Sequence, residues 1–484
     1  MPHRIYVTAT DTVLTAHQSS ENVHSRDVRH RALQCPLAVH EYHRDMTVIA
    51  IRSSLLHCLR DPGLAGDASA IEYFADAITV IRDGLIERIG PADALLSTLG
   101  ADVLINDYRG KILVPGFIDT HVHYPQMDVI ASYGTQLLDW LNRYTFPAEI
   151  RFADREHADA MAKFFLDRLL ENGTTTASVF CTVHPQSVDA FFTESEARGL
   201  RMIAGKCLMD QNAPDGLRDT AETGYADTKK LIERWHGHAR SLYAITPRFA
   251  PTSSLAQMDS MCALSREHPT TYIQSHVAEN KAEIAWVAKL FPEHRSYLDV
   301  YDHYGLLRDK SIYAHCIYLD DVDRARMTAA GATPAFCPTS NLFIGSGLYD
   351  LKQALAAGNV VSVGTDVGGG TSYSMLRTLG EAYKVQQLLG TSLSPAYALY
   401  LATLGGAKAL SLDDKLGSIT PGKEADFVLL DPAATPLLAR RTSLRDDPMD
   451  VFFALMTLGD DRAIAATYSG GKCVHSRLGG VISF

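Results

Sequence analysis

No stretch of this 484-residue chain approaches the ~18 consecutive apolar residues that a membrane-spanning helix needs. Cysteine is sparse and scattered. The eight, at 35, 58, 181, 207, 262, 316, 337 and 473, include no Cys-x-x-Cys pair. In a chain of this length that pattern points to reduced thiols in a cytosolic protein and away from a disulfide framework. Positive charge is also short. The 45 Lys and Arg are outnumbered by 56 Asp and Glu, a net charge of −11, which argues against a nucleic-acid or anionic-membrane surface. Lysine is missing altogether from residues 1–45, which hold six His and five Arg. They carry neither a secretory leader pattern nor a helical or strand period. They are predicted to be a loosely ordered extension, with a folded arm or oligomer contact as the opposing reading.

What remains is ordinary for a globular chain: 46% hydrophobic and 21% charged residues, enough for one large domain and a small one. Residues 46–110 read as short strands, among them Met46–Ile51 and Ala77–Ile81. An Asp83-Gly84 hairpin turn leads into Leu85–Gly90. Similar segments return within 413–484, at 422–431 and 464–474. The two ends are therefore predicted to pair into one small flanking β-sandwich domain. Residues 111–412 alternate strand and helix. The strands are expected at 112–121, 174–180, 201–207, 242–246, 271–275, 311–314, 333–337 and 360–364, which matches an α/β chain folded as a distorted (β/α)8 TIM barrel.

The chemistry gathers where these strands end. Lys111–Gln126 runs through Pro115-Gly116-Phe117-Ile118-Asp119 into His121-Val122-His123. Residues two apart on a strand point to one side, so both imidazoles leave it together. With 19 His in the chain, one His-x-His is expected by chance, and His236-Gly-His238 is a second. It follows no apolar strand and reads as a solvated helix end. The later strands end in His276, His315 and Asp366. In a closed barrel these mouths converge. His121, His123, His276 and Asp366 offer three nitrogens and a carboxylate to a divalent ion, with room for water. Zinc is the first choice, with iron, manganese or cobalt open. Glu279, three residues beyond His276, suits a proton carrier. Asp366 suits the acceptor of the water's proton, and His315 suits a stabiliser of developing negative charge.

The Pro-Gly-Phe-Ile-Asp-Thr-His-Val-His run, His276, His315, Thr365-Asp366 and Pro421-Gly422-Lys423-Glu424-Ala425-Asp426-Phe427 resemble the amidohydrolase superfamily over roughly residues 46–475. Two-metal members carry a carboxylated lysine at the fourth strand. Here that stretch is Ile245–Pro251, without lysine, which resembles the mononuclear deaminase branch. Within it, His123–Gln126, Leu137–Glu149, Pro247–Pro251 and Gly368–Leu376 resemble the guanine-deaminating members. The resemblance implies hydrolysis of guanine to xanthine and ammonia by a metal-activated water, one Zn2+ per subunit, and a cytoplasmic homodimer. The residues agree. Arg248 is a fork of donors suited to O6, Phe249 a wall for a flat ring, and Gln126 a donor–acceptor for the amidine edge, with His276 bordering the substrate. Glu279, Asp366 and His315 are then the expected catalytic set. Rival expectations are a deaminase of another purine, pterin or triazine ring, and an inactive scaffold. The paired cysteines of the other zinc deaminase architecture are absent.

Overall fold

The computed structural model describes residues 48–478 apart from 102 and 135. The extension 1–45, with Cys35, and the last residues of the C-terminal tail lie outside the described residues. The chain opens with β1 (Val48–Cys58), β2 (Ile71–Arg82), β3 (Leu85–Pro91) and β4 (Leu104–Pro115). It continues through β5 (Phe117–His123), β6 (Thr174–Phe180), β7 (Arg201–Gly205), the short β8 (Cys207–Leu208) and β9 (Leu242–Pro247). Then come β10 (Tyr272–Val277), β11 (Ser311–His315), β12 (Thr333–Phe336) and β13 (Ser362–Val363). It closes with β14 (Phe427–Leu430), β15 (Ile464–Ser469) and β16 (Lys472–Ser476).

The first four and last three strands form one seven-stranded sheet in the order β16-β15-β14-β4-β1-β2-β3. The expected union of both chain ends is thus present. The sheet bends over its own core of Ile51, Leu55, Ile81, Ile86, Leu113, Phe427 and Leu429. The β2–β3 hairpin reaches the segment before β14, where Ala425 N–H donates to the Gly84 carbonyl at 2.8 Å. Asp83 and Gly84 turn the hairpin with φ of 51° and 81°, the left-handed pair that an Asp-Gly type I′ turn supplies. The apolar run at 112–114 follows from burial on both faces. Leu113 faces the small core, while Ile112 and Val114 face the barrel.

One expectation is corrected here. The run read as a single strand over 112–121 is two strands in two sheets. Pro115 ends β4 because it has no N–H for a ladder. Gly116 then passes so close to β6 that a Cβ would lie 2.1 Å from Thr175 Oγ1. Gly116 N–H is taken by the Asp426 carbonyl at 2.9 Å, so the Pro-Gly step is the crossing between domains.

The barrel runs β5-β6-β7-β9-β10-β11-β12-β13, each pair parallel. Its seam is closed by side chains and loops. Thr120 Oγ1 donates to the Val363 carbonyl at 3.0 Å, and Asp366 N–H to the His121 carbonyl at 2.8 Å. Outer helices cover the strands. Arg155–Glu171 is N-capped by Asp154 and turns Ala158, Ala162, Phe165, Leu166 and Leu169 inward at helical spacing. Inside, Ile118, Ile203, Ala244, Tyr272, Ile312 and Ala335 meet Leu410 and Leu412 as a plug. Seven free thiols and no disulfide occur among the described residues. No helix there is long and apolar enough to cross a membrane.

The Gly-Lys-Glu-Ala-Asp segment fastens the small sheet to the barrel. Arg201 Nε donates to Glu424 at 2.8 Å, and Arg240 NH2 to Asp426 at 2.6 Å and also to Glu424. Burial pushes the Glu424 carboxyl up, but the two guanidinium groups outweigh this and hold it below its ordinary value. Removing the carboxylate strands the buried Arg201 guanidinium, while Arg240 keeps Asp426. Glu424→Ala is expected to lower unfolding free energy by about 3 kcal/mol in chemical denaturation. A depressed acid contributes stability above its unfolded range and loses it as pH falls. The gap between wild type and Glu424→Gln should therefore close on acidification.

Candidate active site

His121 and His123 project from the C-terminal end of β5, His276 from β10, His315 from the last position of β11, and Asp366 from the loop after β13. His315 and Asp366 hold left-handed backbone, φ 73° and 52°, which turns each side chain back over the mouth. The four expected ligands come together, their donor atoms all within 4.8 Å of one another. His123 Nε2 lies 3.2 Å from His121 Nε2 and 3.2 Å from His276 Nε2. Asp366 Oδ1 is 3.2 Å from His121 Nε2 and 3.3 Å from His123 Nε2.

Three imidazole nitrogens and a carboxylate oxygen at these separations repel one another unless something positive sits among them. Donors about 2.0 Å from one ion, in a tetrahedral array, lie ~3.3 Å apart, so the spacings fit a divalent metal. Protonation states fit as well. Burial pushes the His123 imidazole down to about 3. Burial, then His121, His123 and His315, hold His276 well below its ordinary value. Neutral rings keep their lone pairs. Burial would raise the Asp366 carboxyl, yet the surrounding histidines hold it well below the usual carboxylate range. His276 Nδ1 donates to the Arg248 carbonyl at 2.6 Å, which directs Nε2 at the centre. Phe180 lies under His121, His123 and His276 with ring centroids 4.5–5.0 Å away.

Sequence reading missed the supports. Asp119 is fully buried and accepts from Thr365 Oγ1 at 2.5 Å, Thr365 N–H at 3.0 Å and His121 N–H at 3.2 Å. It thereby ties β5 to the Asp366 loop. Asn341 Oδ1 sits 2.9 Å from His315 Nδ1. Asp119 stands inside the quoted Pro-Gly-Phe-Ile-Asp run, but its tie to Thr365 and that of Asn341 to His315 join positions far apart in the chain.

Glu279 is brought to the same mouth. Its Oε2 is 3.4 Å from His315 Nε2, and its Oε1 accepts from Ser346 Oγ at 2.7 Å. Burial first, and Asp366 second, push the Glu279 carboxyl up to about 8, so at neutral pH it carries a proton. Glu283 is also buried, and its carboxyl is raised by burial and then by Glu279. It accepts from Tyr297 Oη at 2.9 Å.

These groups line a cavity of about 420 Å3, with Gln126, Arg248, Phe249 and the apolar Leu137, Trp140, Leu141 and Ile344. Phe249 meets Trp286 edge-on at 6.0 Å. Arg248 was expected as a fork of donors toward the substrate, and it lines the cavity. It is also buried against Glu149, its NH1 donating to both carboxylate oxygens at 2.7 Å. Gln126 Nε2 donates to the same carboxylate at 3.0 Å. Glu149 is fully buried and was given no role of its own, although it closes the Leu137–Glu149 stretch. His236-Gly-His238 lies away from the site as expected. It follows the helix Ala221–Trp235, and the exposed His238 faces Glu196 at 3.0 Å.

The geometry predicts one divalent ion per chain. Elemental analysis of the purified protein should find one equivalent, and the double variant His121→Ala/His123→Ala should lose it. Two equivalents would bring Glu279 and His315 into the ligand set and overturn the four-donor assignment.

Comparison with known proteins places the chain in a family. The model of the amidohydrolase family matches residues 112–474. The guanine deaminase of Escherichia coli is 50% identical over 432 residues, 89% of this chain and 98% of its own. A probable guanine deaminase of Deinococcus radiodurans is 43% identical over 433 residues, 88% of this chain and 98% of its own. The E. coli guanine deaminase structure superposes with a TM-score of 0.87, covering 89% of this chain and all of that one. A Clostridium structure, guanine deaminase from C. acetobutylicum with guanine bound in its active site, reaches 0.79 at 28% identity over 88% of this chain and all of its own. With its barrel, its converging donors and these relatives, this chain belongs to the amidohydrolase family, among the guanine deaminases.

Proposed function

We propose that this chain hydrolyses guanine to xanthine and ammonia. The observation that carries the reading is the shape of the cavity. Metal-competent donors and a protonated carboxyl stand at its floor, with Arg248 and Gln126 on one side and the aromatic Phe249 among its walls. A flat ring placed there sets O6 against Arg248, the adjoining amidine edge against Gln126, and C2 over the floor. His276 borders the ring.

His121, His123, His276 and Asp366 would hold one divalent ion, zinc by preference for three nitrogens and an oxygen, and that ion supplies an acidified water. The chain's own groups move the protons. Asp366, kept ionised by its histidine neighbours, takes the proton of the attacking water. Glu279, kept protonated by burial, gives its proton to ring N3 and then carries one to the departing 2-amino group. Two carboxyls with pKa values pushed in opposite directions divide the acid and base roles. His315, 3.4 Å from Glu279 and 3.8 Å from Asp366, lies between them and steadies the charge that passes. The apolar lid of Leu137, Trp140 and Leu141 keeps bulk water out. The cytoplasm and a homodimer are the setting we assign, on family resemblance.

A panel of guanine, adenine, cytosine and a pterin offered to zinc-loaded protein tests the substrate. Guanine loss matched by xanthine is the expected result, and turnover of another ring alone would replace it. Glu279→Gln should lower kcat by roughly 10²–10⁴-fold with KM little changed. Retention of most turnover would remove Glu279 from the proton path.

A further inference from the structure

Arg248 and Glu149 form an ion pair that is almost completely out of water, 2% and 0% exposed. Apolar side chains of similar size would satisfy packing at such a place without the desolvation that two charges suffer. The pair therefore needs a reason beyond stability. Its third member supplies one. Gln126 Nε2 and Arg248 NH1 donate to the same Glu149 oxygen, at 3.0 and 2.7 Å, so amide and guanidinium are held side by side.

The amide of Gln126 is pinned at both ends. An ionised carboxylate only accepts, so the end facing Glu149 must be the NH2. At the other end, Gly368 N–H approaches Gln126 Oε1 at 3.4 Å, and a backbone N–H only donates. A flipped amide would lose both contacts and set like against like, oxygen to carboxylate and N–H to N–H. Among the described residues, Nε and NH2 of Arg248 carry no bond, and both Arg248 and Gln126 line the cavity. The site thus offers a fixed order along one wall: donor from Arg248, then acceptor from Gln126 Oε1. That order complements a ring edge that reads acceptor then donor, the C6=O/N1–H lactam of a 6-oxopurine. A 6-aminopurine, with 6-NH2 beside a bare N1, reads in the opposite sense.

We propose that Glu149 is a specificity-determining positioning residue: it locks the polarity of the Gln126 amide so that the cavity accepts 6-oxopurines and rejects 6-aminopurines. This rests on the guanine reading above. Glu149 touches no substrate atom and acts through Gln126 and Arg248.

The test compares guanine with 2,6-diaminopurine, which keeps the 2-amino leaving group and differs only along the lactam edge. In wild type, the KM for guanine and the competitive Ki of 2,6-diaminopurine define a discrimination ratio. In Glu149→Gln the amide can rotate, and the ratio should fall at least ~10-fold, because a site that no longer leaves polar groups unpaired loses most of its rejection. Metal content should stay at the wild-type value. Gln126→Met, which keeps the Arg248–Glu149 pair, should lose discrimination to a similar degree and covers the case in which Glu149→Gln does not fold. KM and Ki rising together by one factor, or an unchanged ratio in either folded variant, would overturn the proposal. Wild-type protein that fails to turn over guanine at all would instead sink the substrate reading on which it stands.

Discussion

Four Lewis-base atoms held within 4.8 Å of one another are the constraint that the remainder of this molecule serves. Lone pairs at that distance repel, and an unsupported set would rotate apart. The barrel prevents this by placing the donors at the mouths of three strands, two of them on β5, and burying them. Asp119 then fixes the seam between β5 and the Asp366 loop through three hydrogen bonds. The Arg248 carbonyl fixes the tautomer and aim of His276. Burial itself does chemical work here. It keeps the imidazoles neutral and available, and it keeps Glu279 protonated next to an ionised Asp366.

A second polar system, of a different kind, borders the same cavity. Around the metal-competent donors the charges are arranged to move protons. Around Arg248, Glu149 and Gln126 they are arranged to stay still. Both systems are dry, and in both a single missing partner would leave a buried charge or dipole unsatisfied. The apolar side chains between them, Phe249, Trp140 and Leu137, raise the strength of each interaction by excluding water. The small sheet contributes nothing to the cavity directly. It clamps the opposite side of the chain's two ends through Glu424 and Asp426, which bind Arg201 at the start of β7 and Arg240 just before β9.

Much of this was legible in the chain because the signals were local. Alternation and turn residues marked most strands. His-x-His at a strand end, and single His or Asp residues after later strands, marked the ligands. The 112–121 run misled for a physical reason. Two consecutive buried strands separated only by Pro-Gly give one unbroken apolar pattern, and periodicity does not show that the sheet has changed. Arg248 was legible only in part. Its residue type and place pointed to the substrate, and it does line the cavity, but a guanidinium buried there also needs a counter-charge. That counter-charge comes from 99 positions away.

By itself, then, the sequence determined the class of barrel, the metal-competent set and a carboxyl, Glu279, beside it, because each depends on residue type and spacing within a few positions of a strand end. Only the tertiary structure decided which groups aim them. Asp119 with Thr365, Asn341 with His315, Ser346 with Glu279, and Glu149 with Gln126 and Arg248 are partners from distant parts of the chain. Hydrogen-bond direction is a property of two groups in space. No single stretch of sequence carries it.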